Sequence, residues 1–265
     1  MRPSGGQATL YVRSTRIPRL APGDLSALGH LTDLAVDNSQ AMTGVLPGAF
    51  HGMSLLVNLS LSFHPRLTHL EADALAGLPS LRELSLVRNG FLALAADVSP
   101  ALRPAALPSL RTLVLDENGL REVAAGDFLA MDGSPLEQIS LAGCYLTAVH
   151  PDALAPLRRL AALRLADNNL DVAALAASLD RLAGKGITLR TLDLGAIGLA
   201  IGLRGAGRGG NAAAAPPNTT AAPRDASTTP TTAPAQADST TPAADPPTAT
   251  TELAPHLQLL LAVAR

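Results

Sequence analysis

The sequence predicts an α/β fold: a right-handed solenoid whose coils each give one short strand to a parallel concave sheet, followed by a disordered tail. Three observations carry that expectation. One apolar frame recurs along most of the chain, aromatic residues are only 2% of a sequence that is 47% hydrophobic, and the composition changes abruptly at Gly202. A core built from Leu, Ala and Val without Trp favours many thin layers over one thick centre.

The frame reads Leu-x-x-Leu-x-Leu and then, after two further residues, Asn. Its clearest copies are Leu81, Leu84, Leu86, Asn89 and Phe91; Leu110, Leu113, Leu115, Asn118 and Leu120; and Leu160, Leu163, Leu165, Asn168 and Leu170. It also fits Leu136, Ile139, Leu141, Cys144 and Leu146, and Leu189, Leu192, Leu194, Ile197 and Leu199, where the Asn slot is altered. Looser copies begin at Leu56 (with Leu59, Leu61 and His64), at Leu31 (with Leu34 and Val36) and at Gln7 (with Leu10, Val12, Thr15 and Ile17). Successive copies start 24 to 29 residues apart, which gives about eight coils.

Each part of the frame has a physical role. Leu-x-Leu alternation makes a strand with one face inward, and stacked strands pair in parallel. The Asn lies where the chain turns inward, so its amide can satisfy backbone groups that burial would otherwise orphan. A second apolar set closes the far side of each coil, as with Val123, Phe128 and Met131, and again with Val149, Leu154 and Leu157. Most of that side reads as irregular. The coil from Leu160 is the exception: Val172, Leu175, Leu179 and Leu182 have helical spacing, which predicts a helix near residues 172–183 that ends at Gly184.

Over residues 7 to about 200 this pattern resembles the leucine-rich-repeat family. The segments LPGAFHGM, LEADALAGL, AAGDFLAM and VHPDALAPL are similar to the typical subclass of Toll-like and adhesion receptor ectodomains. The coil from Leu160 is more similar to the ribonuclease-inhibitor-like subclass, which is usually intracellular. The resemblance implies a non-catalytic protein-binding module derived from a cell-surface or secreted receptor, with a protein ligand on the concave face. The alternative it leaves open is an intracellular scaffold or inhibitor. Surface receptors of the family carry cysteine-rich caps, whereas Cys144 is the only cysteine here. An uncapped solenoid exposes apolar terminal edges, so the chain is a fragment, caps itself with ordinary segments, or self-associates end to end.

Bulk properties narrow the partner. A net charge of −2 with a pI near 6.3 gives no field suited to nucleic acid or an anionic membrane. Arg13, Arg16, Pro18, Arg19, Pro22 and Asp24 break any signal-peptide pattern in the first thirty residues. No run approaches the roughly 18 to 20 apolar residues of a membrane-spanning helix, so membrane insertion is not expected. On this reading the chain is extracellular or at the cell surface if it is a truncated form, and cytoplasmic otherwise.

The domains follow from composition: a solenoid over residues 7–203, a Gly-rich then Ala/Thr/Pro-rich linker or stalk over 204–252, and a short apolar segment over 253–265. The linker has too few large apolar residues to offset the entropy of ordering. The last segment either forms a short amphipathic helix that docks on the open end of the solenoid or remains disordered. Asn218 opens a glycosylation sequon in the linker, and Asn58 opens another in a strand of the presumed ligand face.

Candidate chemistry is sparse, and no catalytic, cofactor or metal site is expected. The six histidines (30, 51, 64, 69, 150 and 256) show no metal-ligand spacing and read as exposed loop residues, with His64 in the Asn slot. Cys144 occupies the same slot and reads as structural. The glycines from Gly202 to Gly210 lack the strand, helix and terminal Lys-Ser/Thr of a phosphate loop. What remains is the outward face of the strands. There the frame places Arg82, Glu83 and Arg88 beside Arg111, Asp116 and Glu117, then Glu137 and Gln138, Arg164 and Asp167, and Arg190 and Asp193. This predicts a mixed-charge surface for a protein ligand, with Tyr11 and Phe63 as aromatic anchors on outward strand positions.

Overall fold

In the computed structural model, residues 8–195 are described; Ile197, Leu199, the linker with Asn218, and the C-terminal segment lie outside them. Eight strands form one parallel sheet in strict chain order. They are β1 (Thr9–Arg13), β2 (Asp33–Asp37), β3 (Asn58–Ser60), β4 (Glu83–Ser85), β5 (Thr112–Val114), β6 (Gln138–Ser140), β7 (Ala162–Arg164) and β8 (Thr191–Asp193). The register puts Leu10, Leu34, Leu59, Leu84, Leu113, Ile139, Leu163 and Leu192 side by side, so the second leucine of every copy of the frame occupies one column. The fold is the expected parallel solenoid.

Burial follows the frame. From Leu34 to Leu163 the column is at most 2% exposed, while Leu10 and Leu192, in the first and last described coils, are only partly buried. The second apolar set closes the opposite side, with Val123, Phe128, Met131, Val149, Leu154 and Leu157 all buried. Removing one such leucine leaves a cavity that thin layers cannot refill, at about 2–5 kcal/mol.

The Asn slot forms a ladder between coils. The Oδ1 of Asn89 accepts the backbone N–H of His64 at 2.9 Å, and its Nδ2 donates to the Leu61 carbonyl at 2.8 Å. Asn118 does the same one coil on, to Asn89 N at 3.0 Å and the Leu86 carbonyl at 2.9 Å, and Asn168 does so for Cys144 N at 3.0 Å and the Leu141 carbonyl at 2.8 Å. Ser39, which the frame did not supply, fills the slot of the second coil and donates to the Thr15 and Ile17 carbonyls at 2.9 and 3.0 Å. His30, His51, His69 and His150 are exposed, but His64 is fully buried, contrary to the loop reading. Its ring reproduces the amide: Nδ1 accepts Ser39 N at 3.1 Å, and Nε2 lies 2.7 Å from the Val36 carbonyl, the donor geometry of an Nε2–H tautomer.

The far side is mainly turns, with one regular helix at Val172–Gly184 as the spacing predicts. Asp171 caps it by accepting from the backbone of Ala173 at 2.8 Å and of Ala174 at 3.3 Å. It ends at Gly184 as expected, and the residue that closes the turn lies two positions beyond. Gly186 adopts φ +75°, and the bonds from Gly186 N to the Ala183 carbonyl and from Ile187 N to the Leu182 carbonyl close the end. A second short helical stretch, Leu94–Asp97 followed by a 3₁₀ turn at Ser99–Leu102, was not foreseen; it fills the longer coil between β4 and β5.

Candidate ligand-binding face

The predicted site residues fall into three rows, and only one of them lies on the sheet. Residues on either side of each central leucine project to the concave face, which puts Glu83, Gln138, Arg164 and Asp193 there, with Asp116 continuing the same alternation just past β5. Arg82, Arg111, Glu137 and Arg190 precede their strands and form a leading rim. Arg88, Glu117 and Asp167 follow their strands and form a trailing rim. One lateral line of the floor is small and uncharged along the middle strands, with Ala35, Ser60, Ser85, Val114 and Ser140, while the line beside it carries Asp33 and Glu83. The mixed charge therefore lines both rims and flanks a narrow uncharged strip on the floor.

The trailing rim has a backbone cause. In each of seven coils the residue just before the Asn slot is left-handed: Ser14, Asn38, Phe63, Arg88, Glu117, Gly143 and Asp167, all with φ between 52° and 64°. That conformation turns the chain inward and throws the side chain out beside its counterpart one coil away. The amide of Asn38 donates to the Ser14 hydroxyl at 3.1 Å, the Arg88 guanidinium lies 5.5 Å from the Phe63 ring centroid, and Arg88 pairs with Glu117. Phe63 is thus a rim residue; the expected place on a strand is corrected, since β3 ends at Ser60 and the left-handed turn intervenes. Tyr11 does lie on β1, with Arg13 5.0 Å from its ring centroid.

On the leading rim, Arg111 pairs with Glu137 at 2.6 Å. Both partners are about half exposed, so this pair orders side chains more than it stabilises the fold. On the floor, Asp116 accepts the Ala142 backbone N–H at 2.9 Å. The Asn58 amide nitrogen donates to the Asp33 carboxylate, which also accepts the Thr32 hydroxyl at 2.6 Å. These hydrogen bonds, Asn58 first, hold the Asp33 carboxyl below its ordinary range. The nitrogen of the first sequon is therefore engaged across the sheet in the folded chain.

A shallow cleft of about 140 Å³ lies over β1 to β4, lined by Tyr11, Asp33, Asn58, Ser60 and Glu83 among others. A larger one of about 360 Å³ opens at the trailing rim between Asp116, Glu117, Ala142, Gly143, Tyr145 and Asp167. Tyr145 is not among the anchors expected from the repeat frame. A signal was present: the residue after the slot is Arg16, Gln40, Pro65, Gly90, Gly119, Asn169 or Gly198 in the other coils, and aromatic only here. Among the described residues no group of three or more His, Cys, Asp or Glu is arranged to hold a metal ion, and no helix is long and apolar enough to cross a membrane.

Comparison with known proteins places this geometry. The leucine rich repeat family matches residues 29–91 and 108–170. The chain is a leucine-rich-repeat protein. The interruption between the two matched stretches contains the short helical segment at 94–102, where the repeat departs from its usual length. Among solved structures, the TLR13–ssRNA13 complex is 25% identical with a TM-score of 0.58, over 71% of this chain and 24% of that one. Human 5T4 (Wnt-activated inhibitory factor 1, trophoblast glycoprotein) is 25% identical with a TM-score of 0.57, over 71% of this chain and 69% of that one. The chain thus spans about a quarter of the length of the first of these structures. None of the curated proteins compared matches this leucine-rich-repeat chain in sequence.

Proposed function

We propose that this leucine-rich-repeat solenoid is a non-catalytic protein-binding module, related to cell-surface or secreted receptors, that takes a protein ligand along its concave face. The observation that carries this is the trough itself. A line of small side chains along the floor lets another chain approach the sheet closely, and charged side chains beside it and in fixed lateral order on both rims supply a pattern to be matched. On this reading Glu83, Asp116 and Arg164 contact the ligand from the floor, Arg82, Arg111 and Glu137 from the leading rim, and Arg88, Glu117 and Asp167 from the trailing rim. The likeness to 5T4 and to the TLR13 structure supports the receptor origin. The helix at Val172–Gly184 favours the second reading, an intracellular scaffold or inhibitor.

The test starts with the full chain expressed in eukaryotic cells, with medium and cytosol separated and each treated with glycosidase. The purified chain is then applied to a displayed panel of secreted and cell-surface proteins. Recovery in the medium with a glycan-dependent mass shift at Asn218 or Asn58, and a panel ligand lost on Glu83→Arg or Arg164→Glu but retained on Arg103→Glu away from the sheet, is the expected result. Retention in the cytosol without a shift selects the intracellular reading. A ligand insensitive to both sheet substitutions and lost on Arg103→Glu overturns the concave-face assignment.

A further inference from the structure

Three aromatic side chains stand exposed on or beside the trailing half of this face: Tyr11 at 63%, Phe63 at 41% and Tyr145 at 73%. Two of them already carry an arginine, with Arg13 over Tyr11 at 5.0 Å and Arg88 over Phe63 at 5.5 Å. Tyr145, the most exposed, has no cation over its ring among the described residues. Arg88 also shows how the rim holds a guanidinium, with an aromatic ring from the coil before and the Glu117 carboxylate from the coil after.

The same column continues past Glu117 to Gly143, where the rim has no side chain. A Cβ there would lie 3.2 Å from Cγ of Glu117, a crowded contact with the stem of that side chain, so the glycine keeps the cleft open beside Glu117. The resulting cleft is bounded by Tyr145, Glu117, Asp116 and Asp167. A ring and carboxylates of the kind that seat Arg88, with Glu117 shared between the two places, thus surround a position that offers no arginine of its own.

We propose that the Gly143 cleft is a slot for an arginine side chain of the protein ligand, stacked on Tyr145 and paired with the carboxylates of Glu117 and Asp167. Arginine fits better than a compact ammonium because a planar guanidinium stacks and pairs at once. This rests on the reading of the solenoid as a protein-binding module and names the ligand side chain that its trailing rim selects.

The chain has only two tyrosines, so 3-fluorotyrosine labelling gives two fluorine resonances, assigned by Tyr145→Phe. The full chain is titrated at low ionic strength with N-acetyl-arginine amide, and in parallel with the uncharged citrulline analogue. A saturable shift of the Tyr145 resonance with arginine, with Tyr11 still and citrulline silent, is expected. Glu117→Gln or Asp167→Asn should weaken it about two- to fivefold, the range of one exposed cationic contact. Gly143→Arg should abolish it, because that substitution fills the slot from within, and Arg88 shows that the column's left-handed backbone accepts arginine. Parallel shifts of both tyrosines, equal response to citrulline, or an unchanged titration in Gly143→Arg overturns the slot. A panel ligand that still depends on Glu83 while the arginine titration fails would remove the slot and leave the broader reading standing.

Discussion

The side-chain oxygen of Asn118 accepts the backbone N–H of Asn89 at 3.0 Å, so the slot residue of one coil satisfies the slot residue of the coil before it. Its nitrogen donates to the carbonyls of Leu86 at 2.9 Å and Leu115 at 2.7 Å. At 1% exposure these groups have no access to water as a substitute. Asn118→Ala should therefore destabilise the solenoid by about 3 kcal/mol, since each buried polar group left unpaired costs roughly 1–3 kcal/mol and some will relax. Equilibrium urea unfolding measures this directly. A loss well under about 1 kcal/mol would mean that the ladder is dispensable.

His64 makes the same two kinds of bond with an imidazole, accepting from Ser39 and facing the Val36 carbonyl. His64→Asn should consequently be mild, within about 1.5 kcal/mol, while the similarly sized but apolar His64→Leu should cost about 2–4 kcal/mol by orphaning both backbone groups. Denaturation midpoints of the two variants check the order. Were leucine the better tolerated, the imidazole would be serving as packing alone.

The strands were legible because their signal is periodic: a leucine every second residue, repeated at a fixed interval, specifies both face and register. The helix at Val172–Gly184 was legible for the same reason. The stretch at Leu94–Leu102 was obscured, because Pro100 interrupts Leu94, Val98, Ala101 and Leu102, which are nevertheless all buried. The site was half legible. Strand alternation places Glu83 and Arg164 correctly, but it cannot see the left-handed residue that moves Phe63, Arg88, Glu117 and Asp167 off the sheet and into a rim. Nor does a pattern of present side chains reveal Gly143, whose contribution is a missing one.

Two carboxylates should give the acid stability profile opposing slopes. Hydrogen bonds from Asn58 and Thr32 depress the pKa of Asp33 below the ordinary 3.8, so its stabilisation is complete above that value and is lost as pH falls through the folded pKa. Burial raises the pKa of Asp127, despite its acceptance of Ala124 N at 2.7 Å and Ala95 N at 3.3 Å, so its protonated form favours the folded state; that contribution is present below 3.8 and is lost as pH rises through the folded pKa. Unfolding midpoints measured from pH 7 to pH 3 should decline less steeply in Asp33→Asn and more steeply in Asp127→Asn than in the parent. An acid slope unchanged by Asp33→Asn would show that the contact with Asn58 is not maintained in solution.

Cys144 reports on the opening of the ladder. Burial pushes its thiol up to about 12, and its S–H donates to the Leu115 carbonyl at 3.2 Å. At pH 8 the native thiolate is then only about one part in ten thousand, so iodoacetamide should leave the native chain unlabelled over hours and label it fully in denaturant. The backbone N–H groups of Cys144 and Leu146 both donate to Oδ1 of Asn168, at 3.0 and 2.9 Å. Asn168→Ala removes that shared acceptor from the turn that shields the sulfur, and it should accelerate native labelling by at least about tenfold if opening costs some 1.4 kcal/mol less. Mass spectrometry of quenched time points gives the rate. Rapid labelling of the parent would place the thiol at the surface, whereas equal rates in parent and variant would mean that Asn168 does not hold this turn closed.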